Sequence, residues 1–313
     1  MAKSAFVELL EYLPARFIMT CLGFVPARYA TRAGAAFGRF VWRVSLSERR
    51  QTRANIALAY GDALGKKERD MLGRASFESL GKTIFEFMQF PRLTPGDLLK
   101  RVRFVNLEAM DRALAGGRGV VVATLHFSNW EFFAAAFAAS GRPLAVVVRP
   151  LDNKRLDRRV EGFRESKGME VVPRGAALRA GLTALRKGKV LAILMDQNAA
   201  FHGVFVPFFG HLAATASGPA ALAIRRKSPL VFCYARREAD DSFSLIFHEA
   251  SALPGEGSAD ERIQELTARL NGCIEKVVRE NPEQWLWMHP RWRTRPEAQG
   301  VGGVGDCVGD SGS

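Results

Sequence analysis

The chain has 313 residues, 48% of them hydrophobic and 25% charged, enough apolar material for one large core or two modest ones, which excludes wholesale disorder. Lys and Arg number 45 against 32 Asp and Glu, a formal charge of +13, so the surface attracts polyanions, whether nucleic acid, an anionic membrane face, or phosphorylated and acidic partners. Cys21, Cys233, Cys273 and Cys307 are far apart with no CxxC spacing, which indicates neither a zinc knuckle nor a disulfide framework and fits a reducing compartment.

At the amino end the longest uncharged stretch is Phe17 to Ala27, flanked by Arg16 and Arg28. At about 1.5 Å per helical residue it covers roughly half of a hydrocarbon core of about 30 Å, too little to span. Glu8 and Glu11 precede it where a signal peptide needs a basic region. Phe6, Leu9, Leu10, Leu13, Phe17 and Leu22 instead sit among Arg16, Arg28, Arg32, Arg39 and Arg43. An apolar face with a cationic collar suits a segment lying in an anionic bilayer surface. The alternative is an ordinary first helix packed on the core with a solvated charged face. Residues 29–115 read as helical, from apolar spacing such as Ile84, Phe85, Phe87 and Met88, with Pro91 and Pro95 breaking the run.

From Gly119 the pattern changes. Strand-like runs at Val120–Thr124, Leu144–Val148, Met169–Val172, Val190–Met195 and Leu230–Ala235 alternate with helix-like stretches at Trp130–Ala139, Asp152–Ser166, Ala176–Arg186 and Thr215–Arg226. This predicts an α/β fold, a mostly parallel central sheet flanked by helices, with a helical membrane-associated amino-terminal portion. Phe243–Phe247 is expected to add an edge strand and Asp260–Glu280 a long helix. Residues 297–313, rich in Gly and Ser towards their end, are expected to be a disordered tail.

Reactive groups of open α/β sheets gather where strands end and helices begin. The Val120–Leu125 run ends at His126, followed by Phe127, Ser128, Asn129, Trp130 and Glu131. Inside one helix, residues five apart diverge by about 140° and cannot meet. If His126 ends the strand and Glu131 lies in the first helical turn, a carboxylate can fix the imidazole tautomer, leaving the other ring nitrogen to take a proton from a hydroxyl. Ser128 to Glu131 also matches an S-x-x-E capping box, which needs no catalysis. On the residues alone both readings stand. A metal site is disfavoured, because His202, His211, His248 and His289 show no ligand spacing.

The segment His126 to Glu131 resembles the HxxxxE signature of glycerolipid acyltransferases, especially the H-x-G-N-W-E form of the bacterial lipid A late acyltransferases. Further blocks agree in order: Arg49-Arg50 with Asn55-Ile56; Val148-Arg149-Pro150 with Asp152-Asn153; Arg164; Met195 to Asn198, then Gly203 to Gly210 with Ala214-Thr215; Pro282 to His289 with Arg291 to Pro296. The resemblance covers roughly residues 45–296, with Ser128 standing where Gly is usual. It implies transfer of a fatty acyl group from a thioester, on acyl carrier protein or acyl-CoA, to a hydroxyl of an anionic glycolipid acceptor at the cytoplasmic face of the inner membrane. It makes His126 the general base and Glu131 its orienting partner, and assigns Asn129, Arg149, Arg164, Asp196 and Gln197 to substrate binding. No cofactor or metal is implied. Asp196 ends an apolar strand, where helix capping is the alternative, and Arg149 and Arg164 are alternatively solvated cations. Trp285, Trp287 and Trp292 would line an acyl groove, anchor at a bilayer, or simply pack in the core.

Residues 1–45 are thus expected to form a membrane-associating segment and 46–296 the acyltransferase domain. Residues 140–190 hold thirteen basic and five acidic side chains, which suits an acidic carrier and a phosphorylated lipid. No nucleic-acid-binding motif is present. A phosphatidylinositol mannoside or a lysophospholipid is the alternative acceptor, and a non-catalytic basic membrane-binding protein the rival of another class.

Overall fold

The computed structural model describes residues 5–296; the tail expected at 297–313 lies outside them. Four helices come first: α1 (Ala5–Leu22), α2 (Ala27–Val44), α3 (Leu46–Tyr60) and α4 (Lys66–Phe87). A short α5 (Pro95–Leu99), a strand β1 (Val102–Val105) and α6 (Leu107–Ala115) lead into the alternating region. There follow β2 (Val120–Thr124), α7 (Trp130–Ala139), β3 (Leu144–Val148), α8 (Lys154–Glu165), β4 (Met169–Pro173), α9 (Ala177–Arg186) and β5 (Val190–Leu194). A hairpin of β6 (Val204–Phe208) and β7 (His211–Thr215) precedes α10 (Gly218–Arg226), β8 (Leu230–Arg237), β9 (Phe243–Phe247) and α11 (Ala259–Glu280).

Seven strands form one sheet in the order β1-β9-β8-β2-β5-β3-β4. The β8–β9 pair is antiparallel and the other pairs are parallel, so the mostly parallel α/β fold read from the alternation is the fold observed. Both faces of the sheet are buried, as unbroken apolar strands require. On one face Phe132, Phe137 and Phe163 of α7 and α8 pack over Val122, Val146 and Val190. On the other, Leu185, Leu222, Leu270 and Ile274 of α9, α10 and α11 pack over Val121, Ala145 and Leu191.

Three details differ from the sequence reading. The stretch 29–115 contains β1, four residues too short to show a period, which becomes a strand by pairing with β9. That pairing moves β9 inward from the edge position expected for it. Residues 204–215 form an antiparallel hairpin that packs against α11, where Asn271 Nδ2 donates to the Pro207 carbonyl at 2.5 Å.

In the helical portion α2 lies tightly on α4. A Cβ placed at Gly38 would overlap the Phe77 carbonyl, and one at Gly81 the Gly34 carbonyl, so side-chain-free positions permit this approach. The opposite side of α2 exposes Phe37, Phe40 and Val44. Helix α1 leaves Phe6, Leu10, Leu13 and Phe17 exposed and reaches the body beside α8, where Asn153 Nδ2 donates to the Glu8 carbonyl at 2.9 Å and to Glu11 at 3.0 Å. No helix among the described residues is long and apolar enough to cross a membrane.

Candidate active site

Strands β2 and β5 are adjacent and parallel, with Thr124 opposite Leu194. Two residues further along each chain, this register sets His126 level with Asp196. His126 Nδ1 donates to Asp196 Oδ1 at 2.7 Å, and Asp196 Oδ2 accepts the His126 backbone N–H at 2.9 Å and the Trp285 indole N–H at 2.8 Å. Burial opposes ionisation of Asp196, but the imidazole's charge and these hydrogen bonds outweigh it and hold the carboxyl below its ordinary value. An acceptor-only carboxylate on Nδ1 places the neutral ring's proton there and leaves Nε2 with a free lone pair.

Glu131 does not take this role. It lies in the first turn of α7, as expected, but its carboxylate receives both arms of Arg164 from α8, at 2.5 and 3.1 Å. The carboxylate that bonds the His126 ring is therefore that of Asp196, which the sequence analysis assigned to substrate binding. The capping box also fails, because the N-cap of α7 is Asn129, whose Oδ1 accepts the Phe132 N–H at 2.9 Å. Asn129 Nδ2 donates to the buried Glu86 at 2.7 Å, and Glu86 in turn holds Arg237 through two contacts at 2.6 and 2.8 Å. With both ends of its amide engaged and no exposed surface, Asn129 anchors the motif and does not face a substrate. Ser128 sits at φ 51° with its Oγ buried and unpartnered, a left-handed conformation that a side chain strains and Gly does not.

His126 lies on a cleft of about 1190 Å³. Strands β3 and β5 pair only as far as Val146 and Ala192, although each runs two residues further. Beyond that point they part. The chain leaves β5 towards α10 on one face and leaves β3 towards α8 on the other, which is where an open α/β sheet makes its crevice. Glu131, Arg164, Arg149 and Gln197 line the cleft with His126, and Val147, Ile193, Leu178 and Leu222 supply apolar wall. Of the expected site residues, only Asn129 and Asp196 lie behind it. Among the described residues no cluster of His, Cys, Asp and Glu is arranged to hold a metal ion.

The sequence profile of the family described as "Bacterial lipid A biosynthesis acyltransferase" matches residues 7–294. The chain belongs to this family. Among its acyltransferase relatives, the lipid A biosynthesis lauroyltransferase of Escherichia coli is 28% identical over 270 residues, 85% of this chain and 86% of that one. The E. coli lipid A biosynthesis palmitoleoyltransferase is 28% identical over 85% of this chain and 84% of its own. The phosphatidylinositol mannoside acyltransferase of Mycolicibacterium smegmatis is 26% identical over 85% and 82%.

The closing block of this acyltransferase, residues 282–296, supports the site from behind. Trp285, Trp287 and Trp292 are buried in the core; none lines the cleft, and Trp285 serves by donating to Asp196. Phe127 bridges to Trp285, and the Ser128 N–H donates to the Gln284 carbonyl at 2.7 Å. Asn55 of α3 donates to the Trp287 and His289 carbonyls, both at 2.7 Å. His289 Nε2 accepts the backbone N–H of Asn198, a cleft residue, at 2.8 Å. Burial first, then the charges of His126 and Arg291, push the His289 imidazole down to about 4, which keeps it the neutral acceptor this bond needs. The sequence analysis missed these supports. Their only signal was the occurrence of Asn55 and Trp285 to His289 as separate ordered blocks.

Proposed function

We propose that the chain transfers a fatty acyl group from a thioester, on acyl carrier protein or acyl-CoA, to a hydroxyl of a lipid A precursor at the cytoplasmic face of the inner membrane. The observation that carries this is the His126–Asp196 contact of 2.7 Å beside a largely apolar cleft of about 1190 Å³. His126 Nε2 takes the proton of the acceptor hydroxyl as its oxygen attacks the thioester carbon. The C–S bond then breaks, and the departing sulfur recovers that proton from the imidazolium. Asp196 holds the tautomer that makes Nε2 basic and balances the charge that develops on the ring. Glu131 and Arg164, paired with each other, fix α7 against α8 as a wall of the cleft.

Direct transfer without an acyl-enzyme is favoured by the surroundings of Ser128, a hydroxyl two residues from His126. Its Oγ is buried without a partner, so no base activates it. Attachment to the bilayer is supported by α1, which presents Phe6, Leu10, Leu13 and Phe17 to solvent and docks at Asn153, next to the cleft-lining Leu151 and Asp152. An apolar helix at the cleft rim, collared by Arg16 and Arg28, lets a lipid acceptor pass from an anionic membrane to His126.

The test supplies acyl thioester and separately offers a lipid A precursor, a phosphatidylinositol mannoside and a lysophospholipid, with mass spectrometry of the products. Acylation of the lipid A precursor that His126→Ala abolishes is the expected result. Equal turnover by the variant would overturn the role of His126, and exclusive use of another acceptor would overturn the choice of lipid.

A further inference from the structure

The cleft carries two positive charges that proton transfer at His126 does not use. Val148 of β3 pairs with Pro173 of β4, so the residues that follow, Arg149 and Arg174, leave two neighbouring strands at the same level of the sheet's carboxyl edge. Both are exposed and both line the cleft. Among the described residues neither guanidinium makes an ion pair or a hydrogen bond, and Asp152 on the same rim pairs with neither. Arg164, a further guanidinium of the cleft, is by contrast neutralised by Glu131. Two adjacent cations without a counter-ion repel each other, and a single anion between them removes that repulsion.

The sheet order also gives a distance. Counting from β2 through β5 to β3 and β4, at about 4.8 Å per strand, places Arg149 and Arg174 roughly 10 and 14 Å from His126. These are backbone separations, and an anion held between both guanidiniums lies away from the reacting carbonyl. Whatever they hold is a handle elsewhere on the substrate. Paired planar forks suit a tetrahedral anion with several oxygens better than a single carboxylate.

We propose that Arg149 and Arg174 form a two-guanidinium clamp for a phosphate group of a substrate. The clamp rests on the acyl-transfer function above and identifies its substrate class as phosphate-bearing. Two sources share that chemistry: the phosphate of a pantetheine-borne thioester and the phosphate of a lipid headgroup.

Binding to the full chain is measured by calorimetry without turnover, so failure of the clamp is distinguishable from failure of the acyl-transfer function. The probes are 4′-phosphopantetheine against pantetheine, and glucosamine 1-phosphate against glucosamine. For at least one pair the phosphorylated probe is expected to bind at least tenfold more tightly, with the preference lost in Arg149→Gln and in Arg174→Gln and only partly kept in Arg174→Lys. Preference within the pantetheine pair assigns the clamp to the donor; preference within the glucosamine pair assigns it to the acceptor. Equal affinities within both pairs overturn the proposal, as does a phosphate preference that survives both Gln substitutions. Loss of carrier-protein binding in the variants with unchanged small-probe affinities would also overturn it, by showing a protein-docking patch instead.

Discussion

Replacing Asp196 by Asn tests the site most sharply, because the two side chains have nearly the same shape and differ in which atoms accept hydrogen bonds. Asp196 Oδ2 receives two N–H groups, from the His126 backbone and the Trp285 indole. Neither can act as an acceptor, so the single oxygen of Asn must occupy that corner. Its NH2 then faces His126 Nδ1, which must become an acceptor and send the ring proton to Nε2, the position that should be the base. Turnover should fall by about 10³–10⁴, as for the equivalent change in other carboxylate–histidine sites, or about 4–5.5 kcal/mol in activation free energy. Folding should be little affected near neutral pH, since every hydrogen bond keeps a partner of the right sense. Below pH 4 the variants diverge. The folded-state pKa of Asp196 is depressed from its ordinary 3.8, so ionised Asp196 contributes stability that is complete above that value and is lost as pH falls through the folded pKa; Asn has no such term. Release of label from an acyl thioester to lipid, with circular dichroism as the folding control, measures both effects. If Asp196→Asn keeps more than a tenth of wild-type turnover while Glu131→Gln loses all of it, the orienting role belongs to Glu131 after all.

Four further outcomes are expected. Glu131→Gln and Arg164→Gln should be strongly non-additive, with a coupling of about 1.5–3 kcal/mol in kcat/KM from a double-mutant cycle, because the two side chains bond chiefly to each other; additive losses would show that each contacts substrate separately. Ser128→Gly should raise thermal stability by about 1 kcal/mol and keep activity, since it relieves the φ of 51° and removes an unpartnered hydroxyl; a lower melting temperature would mean that the hydroxyl has a partner in solution. Gly81→Ala should cost about 2–3 kcal/mol by forcing α2 off α4, and a neutral result in chemical unfolding would show that the contact is loose. Changing Phe6, Leu10, Leu13 and Phe17 together to Ser should release the protein from anionic vesicles in a flotation assay, and undiminished binding would locate the membrane contact elsewhere.

The strands from Val120 onward and the helices between them were legible because each is a local matter. An apolar β-branched run cannot remain in water, and the alternation of such runs with amphipathic stretches leaves a parallel sheet between helices as the economical solution. His126 was legible for the same reason, standing where an apolar strand ends. The sequence alone therefore determined the fold class and the place of His126 at the carboxyl edge of the sheet. It did not determine which carboxylate His126 meets. Glu131 is five residues from His126 along the chain and Asp196 is seventy, yet helix α7 carries the nearer carboxylate away to Arg164 while the β2–β5 register brings the distant one to 2.7 Å. Hydrogen bonds are made by atoms adjacent in space, and strand order, which no local pattern encodes, decides which those are. The indole of Trp285, the brace from Asn55 through the closing block to His289, the parting of β3 from β5 and the meeting of Arg149 and Arg174 on one cleft all depend on that order, and so became visible only in the folded chain.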